Sequence, residues 1–439
     1  LIGQLLTVTL HAFDELAVVT ALPVIVADLG GQSLYGAVFF AYMLASMVSM
    51  VWAGVQTDQH GPLKPFIWGL CIFAIGLIVG ALAPTMSIVV LGRALQGLGG
   101  GAMSAVVYAS IIRAYTVEER PRIMALLSAA WVLPALLAPA VAGAVAEFVH
   151  WRLVFAGLLP FVALTAILAV PGMSKLGGGE PQSDFYRKNI DACLLAAGAG
   201  LFLTGLSLPP DWLSGLLCIS GISLAYSPFI RIMPDGILRA RSGLAAAVLL
   251  KLLLVGSFFG AEAFLPLVLT SLHGFTAYAA GIALTAAALS WSSFAFVQAR
   301  LAKRLAMRDM IYLGTALLLI GVLILFGLLI SGIPGWIVYV AWAVAGAGMG
   351  FAYNTVSTGA MFHTKPGREG ATSTAIGIAE AIGISLATGL GGAVLNAGER
   401  NDWHLSEGLI FIWGGVVMGL VILLSLAHRI QTVTRLEEQ

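Results

Sequence analysis

Six ionisable side chains stand inside long apolar stretches of this sequence: Asp14, Glu15, Arg93, Lys251, Glu262 and Glu380. Ionisable groups in such surroundings are expensive to bury and are retained where they move protons, ions or polar substrates. Burial raises the pKa of a carboxylic acid and an approaching cation lowers it. An acid exposed alternately to two sides can therefore load and release a proton near neutral pH. The residue types predict proton coupling, carried by the four acids together with Arg93.

The adjacent acids Asp14 and Glu15 lie about halfway along the first apolar run. Neighbouring positions on a helix point about 100° apart, so we expect one acid to face a cavity, Asp14, and the other to face an adjacent helix. Arg93 cannot lose its proton and needs a partner, for which an acid of the first run is the natural candidate. A structural ion pair or hydrogen bond is the alternative for each of these groups. His11, one turn earlier, is a proton relay or a packing residue.

The second half of the chain contains the other three charges. Glu262 and Lys251 are 11 residues apart, which places them on one helix face about 16 Å from each other, too far for contact. Glu262 is the candidate for a second proton or substrate site. Lys251 is expected to extend its ammonium toward the cytoplasm along its apolar stem. Glu380 falls near the middle of its run and is either a coupling or a structural residue.

The composition sets the class of protein that must position these groups. Of 439 residues, 59% are hydrophobic and only 10% are charged, a balance that predicts an all-α polytopic membrane protein. A helix needs about 20 apolar residues to cross the hydrocarbon core. Fourteen runs of suitable length occur at 3–29, 34–56, 63–83, 86–113, 122–148, 151–170, 190–208, 212–230, 243–270, 276–299, 309–330, 335–362, 370–396 and 406–430.

The basic residues give an independent test of this layout. Lys and Arg collect in cytoplasmic loops. With the N-terminus in the cytoplasm, 18 of the 22 basic residues fall in inside-facing segments, while Arg152 and Arg400 face outside and Arg93 and Lys251 lie within spans. The asymmetry requires an even number of spans. We therefore expect a multi-pass protein of the cell membrane with both termini in the cytoplasm.

Several classes of function have no support in the sequence. No loop exceeds about 20 residues and no G-x-x-x-x-G-K-[ST] motif occurs, so uphill work must draw on an ion gradient. The three cysteines are spaced for neither a disulfide framework nor a metal site. No nucleophile and base stand at a catalytic spacing. We expect no enzyme activity, no metal, no cofactor and no nucleic acid. The expected partners are the lipid bilayer, a small hydrophobic or amphipathic substrate and protons, with the protein as a monomer.

Two internal repeats predict two related halves. Leu22-Pro23, Gly31 and Tyr35 recur 243 residues later as Leu265-Pro266, Gly274 and Tyr278. Gly97, Gly99 and Gly101 recur 249 residues later as Gly346, Gly348 and Gly350, and such runs are most simply helix-packing surfaces. The expected domains are an N-terminal six-helix bundle at 1–170, a cytoplasmic linker with two extra spans at 171–242, and a C-terminal six-helix bundle at 243–439.

Four motifs resemble the major facilitator superfamily. The loop 54–64 resembles the family's signature loop at Gly54, Asp58, Gly61 and Lys64, although Gln59 replaces the basic residue that usually follows the aspartate. Leu91 to Gly99 is similar to the span-4 motif. Pro139 and Gly143 match the fifth-span motif of exporters, with Ala138 in place of a glycine. Asp14 to Pro23 and Asp28 to Gly30 resemble the first span of the fourteen-span drug:proton antiporters.

The resemblance implies the major facilitator fold, two six-helix bundles plus two additional transmembrane helices, and proton-coupled export of drug-like molecules by alternating access. It implies gating roles for the loop residues and for Pro139 and Gly143. Five further residues are candidates for lining an amphipathic cavity, although lipid-facing or core positions are the alternative: Trp131, Phe258, Trp291, Tyr353 and Asn354. A carrier of lipids or of an endogenous metabolite is the second interpretation. A non-transporting receptor or scaffold is the third, and it gives no reason to bury six ionisable residues.

Overall fold

The computed structural model describes residues 1–116, 119–177, 185–302, 304–329, 333–364 and 369–430. The regular structure of these residues is helical. Seventeen α-helices follow one another: α1 Ile2–Leu29, α2 Tyr35–His60, α3 Leu63–Ala81, α4 Met86–Ala114, α5 Arg120–Ala129, α6 Val132–Val145, α7 Arg152–Ala156, α8 Leu159–Met173, α9 Phe185–Ser207, α10 Trp212–Ile232, α11 Leu244–Glu262, α12 Leu265–His273, α13 Ala277–Leu301, α14 Met307–Gly327, α15 Ile337–Phe362, α16 Glu369–Arg400 and α17 Leu405–Leu426.

These helices supply fourteen stretches long and apolar enough to cross a membrane, which confirms the predicted number. Spans 1 to 4 are α1 to α4, spans 7 and 8 are α9 and α10, and spans 10 to 14 are α13 to α17. Span 5 combines α6 with a π-turn at Ala146–His150, span 6 combines α7 with α8, and span 9 combines α11 with α12.

Three spans are interrupted where the sequence predicts continuous helices. The fifth run, 122–148, breaks between α5 and α6, the sixth breaks between Ala156 and Leu159, and the ninth breaks between Glu262 and Leu265. A proline follows each break within the first turn of the new helix: Pro134 in α6, Pro160 in α8 and Pro266 in α12. Proline fits that turn because its missing N–H is not needed there, whereas farther along it removes a helical hydrogen bond. The prolines therefore restart these helices.

The glycine repeats occupy equivalent positions in the two bundles. Span 4 packs on spans 2 and 3, and span 12 packs on spans 10 and 11. A Cβ atom at Gly97 would collide with the carbonyl oxygen of Tyr42, and one at Gly346 would collide with that of Ala287. Small residues let helix backbones approach closely in a membrane. The repeat spaced by 249 residues is thus a packing surface used twice.

The two bundles meet closely at one end of the molecule, named here the Tyr35 end. Span 5 touches span 10, where a Cβ atom at Gly143 would collide with the carbonyl of Ala277. Span 2 touches span 13, where a Cβ atom at Gly36 would lie 2.9 Å from Gly392 Cα. The Tyr35 hydroxyl donates a hydrogen bond of 3.1 Å to the Ala263 carbonyl. These contacts join residues of opposite bundles and close this end.

The two extra spans lie beside the bundles. Span 7 packs on spans 2 and 13, whereas span 8 packs mainly on span 7. A buried carboxylate, Asp191, accepts hydrogen bonds of 3.0 and 3.1 Å from Arg231 Nε and holds the two spans together. Asp211 caps the start of span 8 by accepting from the Ser214 N–H at 2.9 Å. The predicted linker before span 7 includes residues 178–184, which lie outside the described residues.

Candidate functional site

A buried ion pair joins spans 1 and 4 in the N-terminal bundle. Arg93 Nη1 lies 2.8 Å from Asp14 Oδ2, and both side chains are almost completely buried. Arg93 also donates to Gln96 Oε1 at 2.6 Å, and its guanidinium carbon lies 4.0 Å from the centroid of the Tyr42 ring. A carboxylate, an amide and an aromatic face together compensate the buried guanidinium. This arrangement fixes Arg93 as a permanent charge inside the bundle.

A chain of polar side chains leads from this pair to the second acid of span 1. The Tyr42 hydroxyl and His11 Nδ1 are 2.9 Å apart, and His11 Nε2 lies 4.0 Å from Glu15 Oε2. The His11 ring also packs edge-on against Trp131. Imidazole can accept a proton on one nitrogen and donate from the other. His11 therefore lies between Tyr42 and Glu15, within hydrogen-bond distance of Tyr42 but not of Glu15.

A small cavity lies between the bundles just below the Tyr35 end. Its free volume is about 20 Å³, room for about one water molecule and too little for an organic substrate. It contains carboxylates from both bundles, Glu15 of span 1 and Glu262 of span 9. The lining residues are Glu15, Leu16, Val19, Phe39, Tyr42, Met43, Arg93, Phe259, Glu262, Ala263, Ile384 and Thr388.

The orientation predicted for the two adjacent acids is wrong. Glu15 lines the cavity, whereas Asp14 is fully buried and points to Arg93 within its own bundle. Span 1 contacts helices on several sides, including spans 4, 5, 6, 9 and 10. Because apolar neighbours surround span 1, this helix has no polar face that would indicate which of the two acids points into the cavity.

Glu262 is buried without a fixed cation. The buried indole N–H of Trp342 lies close to the Glu262 carboxylate, but among the described residues neither Glu262 Oε2 nor this N–H makes a hydrogen bond of good geometry. A buried carboxylate in such surroundings is stable only when it is neutral or when a mobile cation or proton accompanies it. Glu262 therefore has the environment of a proton acceptor.

The C-terminal bundle contains its own buried ion pair. Lys251 Nζ of span 9 lies 3.0 Å from Glu380 Oε1 of span 13, and the lysine side chain is only 1% exposed. The expectation that Lys251 extends toward the cytoplasm is wrong, because this partner retains the ammonium inside the bundle. Glu380 also accepts a hydrogen bond of 2.9 Å from the Tyr353 hydroxyl. This side chain is 28% exposed and lies close enough to Glu15 and Tyr108 of the opposite bundle for electrostatic interaction.

The five candidates for an amphipathic cavity lie outside the central cavity. Phe258 is buried and stacks on Trp342, which places it in the core of the C-terminal bundle. Trp291 packs edge-on against both Phe258 and Tyr353. Tyr353 contacts the Lys251–Glu380 pair, Trp131 contacts His11, and Asn354 is exposed. Tyr108 of span 4 is 45% exposed and lies close enough to Glu380 and Tyr353 for electrostatic interaction. These three residues are named here the vestibule.

The signature loop connects spans 2 and 3 at the end opposite Tyr35, named here the Asp58 end. Gly61 has φ of +85°, a value that favours glycine and that ends span 2 sharply. Asp58 lies 3.3 Å from Arg113 Nη2 at the end of span 4, so Arg113 supplies the charge that Gln59 does not. Lys64 is exposed, and a Cβ atom at Gly54 would meet nothing within 4 Å.

The fifth-span residues Pro139 and Gly143 lie at the contact between the bundles. The Pro139 carbonyl faces Gly281 of span 10, and Gly143 faces Ala277. Next to them, Glu147 Oε2 accepts a hydrogen bond of 3.1 Å from the Ala277 N–H. A carboxylate at a helix N-terminus is favoured by the exposed N–H groups and by the helix dipole. Glu147 thus caps span 10 across the interface.

Sequence reasoning did not identify five of the residues that complete these clusters: Tyr42, Gln96, Arg113, Glu147 and Phe259. Gln96 had a visible signal, because it stands three residues after Arg93, on the same helix face. Arg113 had a weaker one, as a basic residue at the end of span 4 near the Asp58 loop. The other three contact partners that are distant in sequence and had no local signal.

Comparison with known proteins places this geometry in a family. The Major Facilitator Superfamily profile matches residues 5–388. A probable multidrug-efflux transporter of Mycobacterium tuberculosis is 26% identical over 419 residues, which cover 92% of this chain and 88% of the relative. Multidrug resistance protein 3 of Bacillus subtilis is 24% identical over 411 residues, covering 90% and 78%.

Solved structures agree on the fold. A POT family transporter in complex with 5-aminolevulinic acid has a TM-score of 0.72 at 14% identity, covering 98% of this chain and 96% of that chain. A peptide transporter POT has a TM-score of 0.71 at 17% identity, covering 98% and 94%. The profile match extends through both bundles and includes Asp14, Arg93, Glu262 and Glu380. With its fourteen spans, the chain belongs to the major facilitator superfamily.

Proposed function

We propose that the protein is a proton-coupled antiporter that exports hydrophobic or amphipathic small molecules by alternating access. The relatives named as a probable multidrug-efflux transporter and as a multidrug resistance protein support drug export by a member of this family. The proposal includes a monomer in the cell membrane, with both termini in the cytoplasm, that uses the proton gradient and no bound cofactor. The bundles at 1–170 and 243–439 are the two moving units, and 171–242 connects them.

The observation that carries the proposal is the central cavity. It holds Glu15 and Glu262, one carboxylate from each bundle, in a space of about 20 Å³ under a closed end. Two carboxylates in one low-dielectric site cannot both ionise cheaply. Protonation allows the bundles to close around the cavity, and loss of the proton favours their separation. Proton binding and bundle movement are therefore coupled through the same two side chains.

The Asp14–Arg93 pair has a supporting role in this mechanism. Arg93 lines the cavity next to Glu15, so a permanent positive charge stands beside this carboxylate. Asp14 and Gln96 hold Arg93 in this position. His11 connects Glu15 to Tyr42 and offers a route for the proton. In this proposal, Arg93, Asp14, Gln96 and His11 together allow Glu15 to bind and release its proton.

The closed Tyr35 end is the outer gate in this proposal, because the basic residues of the loops favour placing the Asp58 end in the cytoplasm. Pro139 and Gly143 let spans 5 and 10 touch when the outer gate is shut. The loop residues Gly54, Asp58, Gly61 and Lys64, with Arg113, form the inner gate. Substrate enters at the vestibule, on the side where Tyr108 and Glu380 are exposed.

A lipid or metabolite carrier in the same fold is the second candidate. Leu16, Val19, Phe39 and Ile384 of the cavity lining would offer apolar surface to an acyl chain once the bundles separate and the cavity widens. A receptor or scaffold role is less favoured, because it requires no carboxylates between the bundles.

Reconstitution into proteoliposomes tests the proposal. The vesicles contain a pH-sensitive dye, and a panel of fluorescent amphipathic compounds is added outside. We expect at least one compound to drive proton movement in the opposite direction and to accumulate against its gradient when a pH gradient is imposed. Transfer of a fluorescent phospholipid at a rate independent of the pH gradient, with no proton movement for any compound, would favour the lipid carrier and reject proton coupling.

A further inference from the structure

The connection between spans 8 and 9 borders an open cavity, named here the span-8 cavity. It is lined by Ile230, near the end of span 8, and by residues 234–239. Successive spans cross in opposite directions, so span 8 ends on the same side as span 2, at the Asp58 end. The free volume is about 250 Å³, below the ~300–1,000 Å³ of pockets for drug-sized ligands. The span-8 cavity therefore suits a group smaller than a drug.

The wall of this cavity is a short turn that is fixed from two sides. Within the turn, the Arg239 N–H donates to the Gly236 carbonyl at 3.0 Å. From outside, Arg429 Nη1 at the end of span 14 donates to the carbonyls of Arg239 and Ala240 at 2.8 Å each. Gly236 has φ of +84°, and a Cβ atom there would lie 2.9 Å from the Cβ atom of Arg241. The turn thus holds the Arg241 side chain against the cavity wall.

The charges at the span-8 cavity are not balanced within the described part of the chain. Arg239 lines the cavity and Arg241 packs on its wall, and both side chains are exposed and form no ion pair there. Asp235 lines the same space and offsets one of the two charges. Arg231, near the end of span 8, is already paired with Asp191. An excess of at least one positive charge therefore remains at the cavity.

An apolar stripe on span 8 leads to the same cavity. Its four residues follow at intervals of three and four, which places them on one helix face, and all are exposed: Ile219, Ile222, Tyr226 and Ile230. Span 8 packs mainly on span 7, so this face is directed at lipid. Because Ile230 also lines the cavity, an acyl chain on the stripe brings its head group to Arg239.

We propose that the span-8 cavity binds the head group of an acidic phospholipid, with the phosphate held by Arg239 and Arg241 and an acyl chain along the stripe. Guanidinium groups bind phosphate through paired N–H bonds, and basic pockets next to the membrane select anionic head groups. Phosphatidylglycerol fits, because its phosphodiester supplies one negative charge and its glycerol hydroxyls can donate to Asp235. A zwitterionic lipid leaves the excess charge uncompensated. The inference does not depend on the proposed transport function.

Native mass spectrometry of the full-length protein tests the proposal. The population with one bound lipid is measured while the protein in detergent is titrated with dioleoyl phosphatidylglycerol, phosphatidylethanolamine or phosphatidylcholine. We expect the wild type to bind phosphatidylglycerol about fivefold or more tighter than either zwitterionic lipid, since each basic residue near the surface contributes about this factor. Arg239→Gln/Arg241→Gln should reduce the preference to less than about twofold. Both side chains are exposed, so this variant should fold as the wild type does.

Two further variants control for general charge and for folding. Arg304→Gln/Arg308→Gln removes two exposed arginines around the connection between spans 10 and 11, at the same end, and should keep the full preference. Arg239→Lys/Arg241→Lys keeps the charge and should retain at least about half of the preference.

Four results would overturn the proposal. The first is equal binding of all three lipids by the wild type. The second is a wild-type preference in the glutamine variant of the cavity. The third is an equal loss of preference in that variant and in either control variant. The fourth is displacement of bound phosphatidylglycerol by an equal concentration of glycerol phosphate, which would assign the cavity to a soluble phosphate compound.

Discussion

Arg93 Nη1 of span 4 lies 2.8 Å from Asp14 Oδ2 of span 1, and the two side chains are 2% and 0% exposed. Removing one member of such a pair leaves an uncompensated charge in the bundle. We expect Arg93→Met to destabilise the protein by about 3–5 kcal/mol, and Asp14→Asn/Arg93→Met to recover at least half of that loss. Chemical unfolding in nanodiscs measures both. An Arg93→Met variant as stable as the wild type would contradict the buried pair.

An exposed arginine provides the control for that experiment. Arg308 and Asp309 form an ion pair of 3.6 Å in which both side chains are about half exposed. Exposed pairs of this kind contribute little to stability because solvent screens them. We therefore expect Arg308→Met to change the free energy of unfolding by less than about 1 kcal/mol.

Gly281 tests the contact that closes the Tyr35 end. A side chain at this position would collide with the carbonyl oxygen of Pro139 in span 5, so Gly281→Val should separate spans 5 and 10. We expect a cysteine placed at Thr388, in a background without the three native cysteines, to react faster with a membrane-impermeant maleimide in this variant. Gly415→Val is the control, because a Cβ atom there meets nothing within 4 Å. Equal labelling of the two variants would contradict the proposed gate.

A separate prediction for the Tyr35 end concerns the Glu147 carboxylate. It accepts from the Ala277 N–H across the interface, whereas Thr276 caps the same helix from within by accepting from the Ala279 N–H. Loss of a cap weakens its helix end by about 1 kcal/mol, a factor of about five. We expect Glu147→Ala to shift the closed end toward opening by about fivefold.

The Thr276→Ala variant should weaken the same helix end without that shift. Distance measurements between spin labels on spans 5 and 10 compare the two variants. The same distribution in both would show that Glu147 does not hold the bundles together.

Asp58 and Arg113 form a partly exposed pair at the opposite end, with side chains 45% and 22% exposed. Because solvent screens the pair, we expect Asp58→Asn to lower stability by less than about 1 kcal/mol. Its effect should appear in transport, as a slower rate with little change in substrate affinity, because the pair joins spans 2 and 4 at the inner gate. Arg113→Lys should be slowed less, since it keeps the charge. Transport and unfolding measured on the same preparations check this, and a large loss of stability would make the pair structural.

The fold was predictable because its signals are local. The length of each apolar run and the placement of basic residues determine the fourteen spans, since both reflect direct contact of a segment with lipid or water. The repeats at Gly97 and Gly346 were equally readable, because a close approach of helices requires small residues in each bundle. The breaks before Pro134 and Pro266 were not predicted, because the apolar run continues across each break and a proline fits the first turn of a new helix.

The site was less predictable because its contacts are long-range. The presence of six buried charges was visible, and the pairing of Arg93 with an acid of span 1 follows from the need for a counter-ion. Which of Asp14 and Glu15 faces the cavity depends on the rotation of a helix that is apolar on all sides. The position of the Lys251 ammonium depends on Glu380, which lies 129 residues away in the sequence. No motif next to Glu380 predicts that these two side chains form a pair.

Glu15 and Glu262 are the residues proposed to carry the coupled protons, and proton movement in their carboxamide variants tests this assignment. Substrate-driven proton movement is recorded in proteoliposomes for Glu15→Gln, Glu262→Gln and the wild type, next to substrate exchange without a pH gradient. We expect both variants to lose proton movement and to retain exchange, because the carboxamides fill the same cavity but cannot bind an exchangeable proton. Proton movement at the wild-type rate in both variants would contradict the account.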